Sequence, residues 1–188
     1  MEIIFRLMDK NKTGQQNTEE VSVSKTKKQI MMEAQRIEES CLFSSKGHFV
    51  ASGMWSKFHL IIGIPVIVLS AVAGASFLSH HQVIASLISI GITVLSGLMT
   101  FLNPNQTANS HKNSGSQYYS LENKVRIFRT IDCWREESEQ VLTEKLKYFS
   151  EQKDRLSETS PIIPHWAYWI AKKGIEAGEA EFAVDKKE

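Results

Sequence analysis

Charge is missing from the middle of this chain. Between Lys57 and Lys112 there is no Asp, Glu, Lys or Arg, although 22 basic and 21 acidic residues are distributed on the two sides. A gap of that length excludes a water-facing surface for the whole segment. Cysteine is scarce, with Cys41 and Cys133 only, which excludes a disulfide framework and a paired-cysteine metal site. A glycine-rich phosphate loop, a nucleophile elbow and an H-E-x-x-H pattern are all absent. No catalytic residue, metal or cofactor is therefore implied, and the chain is not expected to be an enzyme. The net charge of +1 offers no basic excess for nucleic acid. From Tyr118 to Arg155 neither Gly nor Pro occurs, so that stretch holds no strong helix breaker.

The uncharged segment holds two apolar runs, Phe58 to Ser79 and Val83 to Leu102, separated by His80, His81 and Gln82. As helices they extend about 33 Å and about 30 Å at a rise of about 1.5 Å per residue. Both match the roughly 30 Å hydrocarbon layer of a bilayer. In lipid a chain must satisfy its own backbone hydrogen bonds, and so short a connection leaves room only for two antiparallel helices. The reading is a transmembrane hairpin. A helical hairpin buried in a soluble core is the alternative, and runs of this length are uncommon in a soluble domain of this size.

Lys46 and Lys57 precede the first span, while Lys112, Lys124, Arg126 and Arg129 follow the second; the turn carries no Lys or Arg. By the positive-inside rule both termini are cytoplasmic. MEIIFRLMDK is too short and too charged for a signal peptide, so both spans are expected to be retained. His80 and His81 diverge by about 100° on a helix and cannot share a metal. They are read either as outer-surface turn residues or as a pH-sensitive gate. His59 is read as an interfacial residue.

In the first span Gly63, Ser70 and Gly74 fall within about 40° of one another, a small-residue strip suited to helix packing. In the second, Ser86, Ser89, Thr93, Ser96 and Thr100 occupy an arc of about 80°. This hydroxyl stripe has two readings. Ser and Thr satisfy themselves on their own helix at packing interfaces, or identical stripes from several subunits line an aqueous path. With no acidic ring in the spans, a hydrophobic constriction is the expected gate, with Leu95, Leu98 and Phe101 as candidates.

Outside the hairpin four stretches are expected. Residues 1–24 read as a flexible N-terminal segment, rich in polar residues. Residues 25–57 hold an amphipathic helix with Ile30, Ala34, Ile37 and Cys41 on one face, a break over SSKGHFVASG, and Met54-Trp55-Ser56-Lys57 as an interfacial anchor. After the hairpin, 58–102, residues 103–160 begin with the breaker-rich linker NPNQTANSHKNSGSQ. A long helix follows, with a single interruption near Glu136 to Gln140. Its seam runs Tyr118, Leu121, Val125, Phe128, Ile131, Trp134, Val141, Leu142, Leu146 and Phe149, the natural partner for the Ile30 to Cys41 face.

The tail, 161–188, carries Trp166, Tyr168 and Trp169 beside Lys172 and Lys173. It is suited to packing on the bundle, to the membrane interface, or to stacking on a nucleotide. Lys124, Arg126, Arg129, Lys145 and Lys147, with Lys25, Lys27 and Lys28, could attract an anionic ligand, although interspersed Glu also fits a plain solvated surface. The fold class is thus an all-α membrane protein, a two-helix transmembrane hairpin with a cytoplasmic helical bundle, and oligomeric, since two spans cannot enclose a pore.

The amphipathic helix, the Met54-Trp55 approach, the spans with GIPVIVLSAVAG and ISIGITVLSGLMTFLNP, the helix beginning QYYSLENKVRIF and the late Pro161-x-x-Pro164-x-Trp166 resemble the SLATT superfamily of bacterial two-span membrane proteins. The likeness covers roughly residues 25–175 and rests on arrangement and loose motifs. It implies an antiphage effector that oligomerises in the bacterial inner membrane and forms a signal-gated pore or ion channel, depolarising the infected cell in abortive infection. It also implies a nucleotide or oligonucleotide signal made by a separately encoded nucleotidyltransferase. The alternative from another class is a non-conducting membrane anchor or scaffold that recruits a cytoplasmic partner.

Overall fold

The computed structural model describes residues 2–78, 81–135 and 138–182, with side chains over 25–77, 81–135 and 138–182. Among them every regular element is helical: α1 (Glu2–Leu78), α2 (Gln82–Leu102), α3 (Pro104–Thr130), a short 3-10 turn (Asp132–Trp134), α4 (Glu139–Thr159) and α5 (His165–Glu176). Two units form. The first joins Met1–Leu42 with Tyr118–Thr159, the second Phe43–Gln117 with Ser160–Glu188, so α1 and α3 each supply residues to both.

In the first unit the face expected of α1 is the buried one. Ile30, Ala34, Ile37 and Cys41 pack with Tyr118, Leu121, Val125 and Phe128 of α3, with Cys133, and with Leu142 of α4; Leu146, Phe149 and Leu156 close the cluster. Residues three and four apart share a helix face, so three such stripes together exclude water from one seam. The Phe128 and Phe149 rings lie 5.4 Å apart, and the Tyr118 hydroxyl is 3.1 Å from Ser157 Oγ. The long helix of the sequence reading is therefore two helices, α3 and α4, with the 3-10 turn Asp132–Trp134 between them. Three residues of the expected seam lie outside the cluster: Ile131, Trp134 and Val141 are exposed, Trp134 at 74%.

In the second unit Gln82–Leu102 and the C-terminal part of α1 are the two helices long and apolar enough to cross a membrane, with best-window mean hydropathies of 2.0 and 2.4. Only 6% of each window is buried. A helical hairpin hidden in a soluble core would bury most of that surface, so the buried alternative fails. Ile61, Ile67, Phe77, Val83, Leu87 and Ile90 all point outward, and among the described apolar residues of the runs only Ala73 and Ala85 are buried. Helix α1 continues through Pro65.

Two stretches differ from expectation. Helix α1 runs from Glu2, and the side chains of 1–24, expected to be flexible, lie outside the described residues. SSKGHFVASG does not break α1. Gly47 serves close packing instead, since a Cβ there would stand 3.1 Å from Ile163 Cγ2. The linker NPNQTANSHKNSGSQ is almost wholly helical: Asn103 alone turns the chain, at φ 40°, and donates its N–H to Met99 O. Pro104 then opens α3, where its missing N–H costs nothing.

Candidate functional site

The hydroxyl stripe of α2 is built as one face of a regular helix, and its bonds are local. Ser86 donates to Gln82 O at 2.8 Å, Ser89 to Ala85 O at 2.8 Å, Thr93 to Ser89 O at 2.8 Å and Thr100 to Ser96 O at 3.0 Å. Such bonding back to the preceding turn satisfies a hydroxyl in a medium without water, and leaves its oxygen able to accept. Ser70 of α1 likewise donates to Val66 O at 2.7 Å. An open groove between the two apolar helices is lined by Ser70, Ala73 and Gly74 on one side and Ser86, Ser89 and Thr93 on the other. The small strip and the outer part of the stripe thus border the same groove. Gly63 lies elsewhere, its nearest neighbour being Met99 Cε, 3.9 Å from where a Cβ would sit.

Of the gate candidates, Leu95 is half-buried and Leu98 and Phe101 are exposed, Phe101 at 88%. His81 stands at the N-terminus of α2, while His80 lies outside the described residues. His59 is half-buried, with its Nδ1 lacking a partner within the chain.

Three of the basic candidates, Arg126, Arg129 and Lys145, are engaged within the chain. Arg129 holds Glu38 through two bonds of 2.7 and 3.2 Å, Lys145 lies 3.3 Å from Asp132, and Arg126 donates to Asn123 Oδ1. Lys27 caps the backbone at Arg135 O. Lys124 and Lys147 are exposed. In the tail, α5 buries Ala167 and Ala171 and sets Tyr168 6.3 Å from Phe43, while Trp166 and Trp169 face outward with Lys173 4.3 Å above the Trp169 ring.

The sequence reading missed a polar layer inside the second unit. Ser45, His48 and Ser52 of α1 and His111 and Ser114 of α3 are all buried. His48 and His111 meet Nδ1 to Nδ1 at 2.9 Å. Burial, and then the neighbouring His111, lowers the pKa of His48 to about 4, and burial lowers that of His111. A signal was present. Ile30, Ala34, Ile37 and Cys41 continue at spacings of four, three and four through Ser45, His48 and Ser52.

Two side chains of the first unit titrate abnormally. The Cys41 thiol is pushed up to about 12, chiefly by burial and then by Glu122, against the lowering effect of Lys153; it is not a nucleophile at neutral pH. Glu122 is raised by burial and by Glu38, against the lowering effect of Arg126. Its Oε2 has no hydrogen-bond partner within the chain. Among the described residues no three His, Cys, Asp or Glu side chains are placed to hold a metal ion.

What this defines is a class: an all-helical chain with two exposed apolar helices of membrane-crossing length. Compared with family models, curated proteins and solved structures, the chain has no match in any of the three.

Proposed function

We propose that the chain is an oligomeric membrane protein of the bacterial inner membrane, with both termini in the cytoplasm, in which α2 lines a signal-gated ion path. The observation that carries this reading is the exposure of the two apolar helices, which leaves nearly all of their hydropathic surface for lipid and for other copies of the chain. The continuous hydroxyl face of α2 supports lining by that helix, and the likeness to the SLATT superfamily supplies the antiphage role. In that role an infected cell is depolarised when a nucleotide or oligonucleotide from a separately encoded nucleotidyltransferase reaches the cytoplasmic helices. Such a ligand opens the path only by binding the open state more tightly than the shut one, typically by roughly 1 to 3 kcal/mol. Exposed Lys124 and Lys147 are the first candidates for its contacts, because Arg129 and Lys145 already hold carboxylates.

The triple substitution Ser89→Leu, Thr93→Leu and Ser96→Leu is expected to abolish ion flux in liposomes while insertion is unchanged. Undiminished conductance overturns the assignment of α2 as the lining helix. A second reading, the non-conducting anchor or scaffold, is favoured by the self-satisfied hydroxyls of the stripe. A membrane-potential dye in cells expressing the chain with its partner enzyme separates the two: a scaffold leaves the potential intact after triggering.

A further inference from the structure

His48 and His111 sit on different helices of the second unit and are 1% and 3% exposed. Their Nδ1 atoms are 2.9 Å apart and their ring centroids 5.2 Å apart. The helices approach closely here because Gly115 has no side chain: a Cβ would stand 3.1 Å from the Phe49 ring and 3.3 Å from His48 Cβ. Along α1, His48 precedes Phe58 by about 15 Å, and His111 lies about 10 Å along α3 from Pro104, the second residue after Leu102. The pair therefore joins the two stems that lead into the apolar helices. Movement of α1 there is carried into its apolar part without a break, and movement of α3 reaches α2 through Asn103 alone.

Hydrogen counting gives the pair its chemistry. When both rings are neutral, one Nδ1–H donates and the other Nδ1 accepts. A first added proton goes to a remaining ring nitrogen and places a cation in a buried layer. A second puts N–H on both Nδ1 atoms, so two donors and two positive charges meet where one bond had been. We propose that His48 and His111 are a proton-operated latch: neutral, they hold the stems of α1 and α3 together, and protonation of the pair releases them. This stands whether or not the chain conducts.

The charged groups on the elements packed around the pair are exposed or paired with one another. On α1, Lys46 lies 3.5 Å from Glu179 Oε2. Lys112 of α3 is exposed, as are His165, Lys172, Lys173 and Glu176 of α5 and Glu179 and Glu181 beyond it. The influences on His48 are burial first and His111 second, and on His111 burial. Both folded values lie below the ordinary 6.5, so the stabilisation is present above that pH. For His48 it is lost as pH falls from 6.5 toward about 4.

The test uses the full chain in detergent micelles, titrated from about pH 7.5 to about pH 4. Imidazole 15N shifts should show His48 and His111 still neutral well below pH 6.5, the ordinary imidazole value. Amide exchange over 105–115, corrected for its intrinsic pH dependence, should rise by about tenfold or more across that range. In the double variant His48→Asn, His111→Asn, which keeps polar groups without a titrating ring, the rise should disappear. The proposal is overturned if the two imidazoles titrate at the ordinary imidazole value, if exchange is flat in the unmodified chain, or if the double variant shows the same rise. Should the double variant fail to fold, the 15N titration of the unmodified chain decides alone.

Discussion

In the first unit Ile30, Val125, Phe128 and Leu142 are inside, and Glu33, Arg36, Lys124 and Lys147 are outside. In the second unit Ser45, His48, Ser52, His111 and Ser114 are inside, and Ile61, Ile67, Leu87 and Phe101 are outside. The same helical periodicity runs through both, so the difference is not one of secondary structure. On the proposed reading it is one of solvent. Water drives apolar stripes together in the first unit, whereas the exposed apolar residues of the second call for a surrounding medium that has no use for polar groups. With little driving force between apolar faces in such a medium, helices associate through small residues and hydrogen bonds. Ser70, Ala73 and Gly74, facing Ser86, Ser89 and Thr93 across the groove, supply both.

That contrast can be broken by substitution, most strongly in the dry seam. Phe128→Ala empties a fully buried site and should cost about 3 to 5 kcal/mol of stability. Ile67→Ala, at a residue 72% exposed, should stay within about 0.5 kcal/mol. Unfolding of both variants in mild detergent checks the pair, and equal losses would erase the distinction between the units. Next in size, Ile67→Arg should raise the cost of membrane insertion by about 2.5 to 3.5 kcal/mol, whereas Ile127→Arg, at an exposed position of the first unit, should leave the inserted fraction unchanged. Insertion into inverted membrane vesicles reads both.

The smallest effect concerns the one carboxyl inside the first unit. Glu122 has a folded pKa above its ordinary value through burial. The protonated form is favoured in the fold, so its stabilisation is present below the ordinary carboxylate range and is lost as pH rises through the raised value. Glu122→Gln should then gain about 1 kcal/mol at neutral pH and flatten the pH dependence of unfolding. A loss at neutral pH, with the dependence intact, contradicts the assignment.

The apolar seam and the two long helices were legible because each is a repeated signal: four residues at spacings of four, three and four on α1, and uncharged runs of bilayer length. The polar layer was hidden because Ser, Gly, Asn and His speak for loops when they stand alone. SSKGHFVASG and NPNQTANSHKNSGSQ read as breaks by composition, yet Ser45, His48 and Ser52 keep the heptad step of α1, and Ala108, His111, Gly115 and Tyr118 keep that of α3. Context overrode propensity. Pro104 misled for a related reason: it begins a helix as readily as it ends one. An interruption was expected near Glu136 to Gln140, and α3 ends at Thr130 while α4 begins at Glu139; the exposure of Trp134 was not expected, because a seam drawn on one long helix has no reason to skip that residue. The groove between the apolar helices could not be read from either run separately.

The inverted character of the second unit is most directly tested by spin labels in reconstituted vesicles, on cysteines placed one at a time at Ile67, Val94, Met32 and Tyr148. All four residues are exposed, and the native Cys41 and Cys133 are buried. Labels at 67 and 94 should be relaxed by membrane-dissolved oxygen and shielded from a water-soluble nickel chelate, and labels at 32 and 148 should show the reverse. If nickel reaches all four alike, the apolar helices do not lie in lipid and the account is wrong.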